Sequence, residues 1–197
     1  MTTLASAMTA ARSLEALLSQ PGCTPEGICT LLGQMFNVRP TEVGLLRLEG
    51  KLLKFLYPAE LQVVGTIPIS SSAIAARTAS TQKPGLFNNF VQVRHHDIFE
   101  TIILRAAGAA SGGAQTIQKL MSAPIIAHQG EVLGVVQISR KGPTPGAAGP
   151  DFGQQDLSRL QLASNTLAIL MPRILSNETG RGSKLQFRSH TSAGFAG

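Results

Sequence analysis

Two apolar runs near the middle of the chain limit what it can fold into. Leu120 to His128 and Glu131 to Arg140 each read as a strand, joined by Gln129-Gly130. In the second run Val132, Gly134, Val136 and Ile138 alternate with Leu133, Val135 and Gln137, so both faces are apolar. Such a strand belongs at the centre of a sheet with cover on both sides. Apolar residues make up 43% of the 197 positions and charged residues 14%. That composition supports a sizeable core and excludes global disorder.

The flanking segments supply the cover. Residues 3–19 place Leu4, Met8, Ala11, Leu14 and Leu18 on one helical stripe, stopped by Gln20-Pro21-Gly22. Thr24 caps a second helix with Pro25 at its first position, and its apolar face uses Ile28, Leu31, Leu32, Met35 and Phe36. Glu42 to Leu48 and Lys51 to Tyr57 read as a hairpin about Glu49-Gly50, with Leu53, Phe55 and Tyr57 on one face. Gly65 to Ile69 is a third strand. Ser70-Ser71-Ser72 offers caps for a helix carrying Ile74, Ala75 and Thr78, which Lys83-Pro84-Gly85 ends. Asn88 to Val93 reads as a short strand. Asp97 and Glu100 have capping-box spacing ahead of Ile102, Ile103 and Leu104, and Ala106 to Ala114 is a Gly-rich connection. After the loop Gly142 to Pro150, a long helix starts near Asp156. Its stripe is Leu157, Leu160, Ser164, Leu167, Met171 and Ile174, and Pro172 should kink or end it. The order predicts an α/β (α+β) domain: an antiparallel sheet with the terminal helices on one side and a connector segment on the other.

Charge and cysteine content narrow the function classes. The net charge is +6, and half of it lies beyond Pro172, where Arg173, Arg181, Lys184 and Arg188 face Glu178 alone. Those residues sit among Gly and Ser, so 176–197 reads as a disordered basic tail. A nucleic-acid contact by the tail is the competing reading, and it would be sequence-blind and salt-sensitive. Two cysteines, Cys23 and Cys29, exclude a disulfide scaffold and a four-cysteine zinc site. No run approaches about 18 apolar residues, so no membrane span is read, and a cytoplasmic protein is expected. Ser70 to Ser72 lacks a nucleophile-elbow context, and Gly108, Gly112 and Gly113 lack a P-loop lysine.

At the second strand pair the chain resembles the GAF domain family. Ser122-Ala123-Pro124-Ile125-Ile126, Gly130 to Gln137, Lys141, Phe152 and Asp156-Leu157 look like its closing half. Gly65-Thr66-Ile67-Pro68-Ile69 with the capped helix and Asn88-Asn89 resembles its middle. The resemblance implies a small-molecule-sensing, dimerising module with a ligand cavity on the sheet face away from the terminal helices. It divides the chain into a dimerisation helix (1–22), a GAF-like domain (23–175) and the tail. Members that bind cyclic nucleotides carry an Asn-Lys, Phe, Asp-Glu signature. Lys141, Phe152 and Asp156 match it, and they imply a clasp from Lys141 to Asp156 over a buried Phe152. Arg140 and Leu157 depart from it, which argues against a cyclic nucleotide. Branches that reduce methionine sulfoxide or attach a bilin use cavity cysteines, and this chain has no cysteine after Cys29.

The expected ligand residues are Asn88, Asn89, His95 and His96, with Phe90 and Phe99 as apolar neighbours. Amides and imidazoles donate and accept, and so can read a planar heterocycle. The competing reading has the asparagines holding a turn and the histidines facing water. No metal set is read, because adjacent histidines point apart and no third ligand stands at a characteristic spacing. The expected function is non-enzymatic: a ligand orders 88–118 and shifts the terminal helices in a homodimer that acts on another protein. A structural dimerisation module with a degenerate cavity is the alternative.

Overall fold

The computed structural model describes residue 16 and residues 23–63, 65–90 and 116–186, with side chains through 176. The helix expected over 3–19 lies outside the described residues, Ala16 aside, as do His95, His96, Phe99 and the 97–114 segment.

Among the described residues, six strands form one antiparallel sheet: β1 (Val43–Glu49), β2 (Leu52–Tyr57), β3 (Thr66–Pro68), β4 (Gly85–Phe87), β5 (Thr116–Ile126) and β6 (Val132–Gly142). Their order is β3-β2-β1-β6-β5-β4, so β6 is central, as its two apolar faces require. The helices are α1 (Pro25–Phe36), a single turn α2 (Ala59–Gln62), α3 (Ile74–Thr81) and α4 (Gln154–Gln186). Among the described residues, no helix is long and apolar enough to cross a membrane.

Helices α1 and α4 cover one face of the sheet. Ile28, Leu32 and Phe36 of α1 and Leu160, Leu167 and Met171 of α4 bury against Leu45, Met121, Ile125, Val136 and Ile138. Fully burying an aliphatic side chain of this size is worth about 1.5–3 kcal/mol, and this contiguous set is the main core. Helix α1 starts as its residues dictate: Thr24 Oγ1 accepts from the Gly27 N–H, and Pro25 follows at the first position. It ends at Asn37, which is left-handed at φ 51°.

On the other face, α3 packs Ala75, Ala76 and Ala79 on Leu46, Leu53, Ile67 and Val135. Small side chains on α3 let its backbone lie close to the sheet.

Local details depart from the expectations. Glu42 belongs to a 3₁₀ turn, Pro40–Glu42, because its carboxylate binds back to the Arg39 N–H. A register shift between Leu45 and Leu46, opposite Phe55 and Tyr57, turns Tyr57 toward the helix-covered core, while Leu53 and Phe55 stay on the other face. The cap of α3 is Ala73, with no side-chain bond, rather than one of the serines. A short strand at Gly85–Phe87 precedes the one expected over Asn88 to Val93; Asn88 to Phe90 are not in a strand, Asn88 being engaged elsewhere, and 91–93 lie outside the described residues. The helix α4 runs through Pro172 to Gln186, into the span read as tail. Proline deletes one intrahelical bond, and buried Leu170, Met171 and Ile174 hold both sides of that gap.

Register also shifts between Ile125 and Ile126 opposite β6, so the two-residue alternation of β6 breaks near Gly134. Leu133 joins the helix-side core while Val132 and Val135 join the other. A Cβ at Gly134 would stand 2.0 Å from the Leu46 carbonyl oxygen of β1, so the close strand approach there admits glycine only.

Candidate functional site

Between α3 and the sheet lies a cavity of about 90 Å³. By that measure it has room on the order of six waters. Its walls are apolar: Phe55 from β2, Ile67 from β3, Ile74 at the start of α3, Phe90, and Ile117 and Leu120 from β5. Polar groups stand at one end, where Gln137, Ser139 and Lys141 follow one another along β6 beside Thr41 and Glu42.

Each polar group is fixed by a different partner. The Glu42 carboxylate is 7% exposed and receives four bonds: from Arg39 N (2.8 Å), Arg39 Nε (3.3 Å), Arg39 Nη2 (3.2 Å) and Lys141 N (2.7 Å). Burial alone would raise its pKa. The Arg39 guanidinium and the backbone N–H groups outweigh burial and hold it below the usual carboxylate value. Ser139 Oγ donates to the Glu42 carbonyl at 2.9 Å. The Gln137 amide donates to Ser122 Oγ at 3.3 Å, and Thr78 of α3 donates to the same oxygen at 2.8 Å. Lys141 Nζ donates to the Thr41 carbonyl at 3.0 Å. Its pKa is lowered by burial, against which Glu42 favours the charge.

The expected clasp from Lys141 to Asp156 is not what joins these elements. Lys141 belongs to the cavity side of β6, while Asp156 uses Oδ2 to accept the Gly153 N–H at 2.9 Å and lies 3.7 Å from Arg159. Two other cations hold the loop. Lys119 is buried, with Nζ 2.7 Å from Asp151 Oδ1 and 2.5 Å from the Gly149 carbonyl. Arg140 lies 4.7 Å over the ring of Phe152 and donates to the carbonyls of Phe36 and Asn37 at 3.1 Å each, which caps α1. Phe152 is buried in the main core, as expected, but beneath Arg140.

Of the expected ligand residues, Phe90 lines the cavity and Asn89 is exposed. Asn88 faces the loop: its Nδ2 donates to the Phe152 carbonyl and its Oδ1 accepts the Phe152 N–H, both at 2.9 Å. That two-bond grip on a backbone 64 positions away gives it a structural task. Thr41, Glu42, Gln137, Ser139 and Lys141 were missed as cavity residues. The signal was present in β6, whose residues 137, 139 and 141 are polar at period two while Val136 and Ile138 are apolar.

Both cysteines are buried in the helix-side core, away from the cavity. Burial pushes the Cys29 thiol well up. It also raises Cys23, against a smaller pull from Arg173. Among the described residues, no cluster of His, Cys, Asp and Glu suits a metal ion.

A family model described as GAF domain matches residues 26–171. Solved structures share the fold at low identity. The GAF domain of A. aeolicus Nlh2 in an inactive state is 14% identical, with 85% of this chain and 96% of that one covered and a TM-score of 0.58. The GAF domain of the Coxiella burnetii phosphoenolpyruvate-protein phosphotransferase is 12% identical, covering 90% and 97%, with a TM-score of 0.60. The free methionine-R-sulfoxide reductase of Neisseria meningitidis, solved with its substrate, is 12% identical, covering 88% and 91%, with a TM-score of 0.57. No curated protein matches the sequence significantly.

Proposed function

The chain belongs to the GAF domain family, and from that premise we propose that it is a non-covalent small-molecule sensor rather than an enzyme. The observation that carries this reading is the cavity between α3 and the sheet: apolar walls, a few oriented polar groups at one end, and no thiol in its lining. The fold also occurs in methionine-R-sulfoxide reductases. Both cysteines of this chain sit in the opposite core as buried thiols held in the neutral form, the unreactive state.

Output would pass through the helices to a homodimer partner and then to another protein. Leu162 and Ile169, seven residues apart on α4, are 48% and 63% exposed, which favours an assembly role for that face.

Native mass spectrometry of the protein from its own host tests the reading. A co-purifying small molecule is expected on wild type and lost from Ala73→Phe, which fills the cavity beside α3. Retention in the filled variant would move the site elsewhere. Thiol-dependent turnover of methionine-R-sulfoxide would overturn the non-enzymatic part.

A further inference from the structure

The cavity's polar end has a definite chemical preference. Glu42 is already satisfied: both carboxylate oxygens are bound, by Arg39 and by the Lys141 backbone. Lys141 is different. An ammonium carries three donors, and among the described residues Thr41 takes one of them, through a neutral carbonyl. The cation lines a cavity whose far walls are aromatic and aliphatic, while Thr41, Gln137, Ser139 and the already bonded Glu42 share its own end. Such a charge is stabilised by an anion that brings its own apolar body.

A second feature has the same sign. Ala73, Ile74 and Ala75, the cap and first residues of α3, line the same cavity, and no side chain caps that end. The first-turn N–H groups of a helix carry partial positive charge. Gln137, whose amide is oriented by Ser122, adds a neutral polar group to the same lining.

Building on the sensor reading above, we infer that the cavity takes a small apolar monocarboxylate, its carboxylate at Lys141 and its hydrocarbon against Phe55, Ile74, Phe90 and Leu120. One lysine suits one negative charge. The space, on the order of six waters, suits a compact branched or single-ring body.

Matched probe pairs test this on the full chain. Isovalerate and isovaleramide share a shape and differ in charge, as do benzoate and benzamide. Isoleucine δ1 methyl labelling provides the readout. Ile67, Ile74 and Ile117 line the cavity, while Ile28, Ile125 and Ile138 lie in the opposite core as internal controls. At roughly 10 mM, a range suited to weak fragment binding, at least one acid should shift the cavity methyls saturably and leave the controls unmoved. Its amide should bind at least about tenfold weaker, a difference of about 1.4 kcal/mol. Lys141→Met should erase that preference, and Lys141→Arg should restore most of it.

Wild-type protein that binds amide as well as acid would overturn the carboxylate inference and leave the sensor reading intact. Selectivity that survives in Lys141→Met would also overturn it. If no acid or amide moves a cavity methyl, while the control methyls report a folded protein, both the inference and the placement of the site fall.

Discussion

The two faces of the sheet are built from consecutive residues of the same strand, yet they do different work. Along β6, Val136 and Ile138 enter a core closed by α1 and α4, while Gln137, Ser139 and Lys141 enter a half-filled space under α3. The first face has long aliphatic side chains on both partners. The second sets a helix of small residues against a sheet that turns polar at one end. Stability is concentrated on one face, and a cavity persists on the other because α3 carries too little side-chain volume to fill it.

The largest expected effect breaks the closed face. Phe152→Ala should cost about 3–5 kcal/mol in urea unfolding, because the ring is 3% exposed and its removal also strips the surface beneath Arg140. A loss under about 1 kcal/mol would mean the loop is not part of the core. Next comes the link between faces: Asn88→Ala should cost about 1–3 kcal/mol by leaving two Phe152 backbone groups unpaired. Asn89→Ala should stay within about 0.5 kcal/mol, since that side chain is exposed. Equal effects at 88 and 89 would remove the assigned grip.

The third test is a pH dependence at the cavity's polar end. The folded pKa of Glu42 lies below its ordinary 4.5. Its ionised form therefore stabilises the fold above about pH 4.5, and that contribution is lost as pH falls through the lower folded value. The gap in unfolding midpoint between wild type and Glu42→Gln should narrow over that window, and a gap constant from pH 7 to pH 3 would contradict the assigned bonds. The smallest effect sharpens the comparison. Ile117→Val, on the wall of an existing cavity, should cost about 1 kcal/mol or less, at or below the same change at Ile138, where about 0.5–1.5 is expected.

Much of this plan was legible in the residues. The doubly apolar run at 132–138 required a central strand, Thr24-Pro25 marked the start of α1, and the three-four stripe from Leu160 to Ile174 placed α4 on the sheet. Long-range polar bonds were not legible. Nothing near Asn88 tells of Phe152, and nothing near Lys119 tells of Asp151. The Lys141–Asp156 clasp failed because alternation along β6 sends Arg140, not Lys141, to the α4 side. The polar row 137, 139, 141 was readable by the same alternation.

Arg140 and Lys141 are joined by one peptide unit, and a peptide unit is a rigid plane. The first reaches the C-terminal carbonyls of α1, and the second stands in the cavity on the far side of the sheet. Successive side chains of a strand leave on opposite faces, so the cation of the cavity and the cation that closes the end of α1 are neighbours in the chain and strangers in space. A one-residue insertion or deletion in β6 ahead of Arg140 would exchange their places, and neither the cap of α1 nor the polar end of the cavity would survive it.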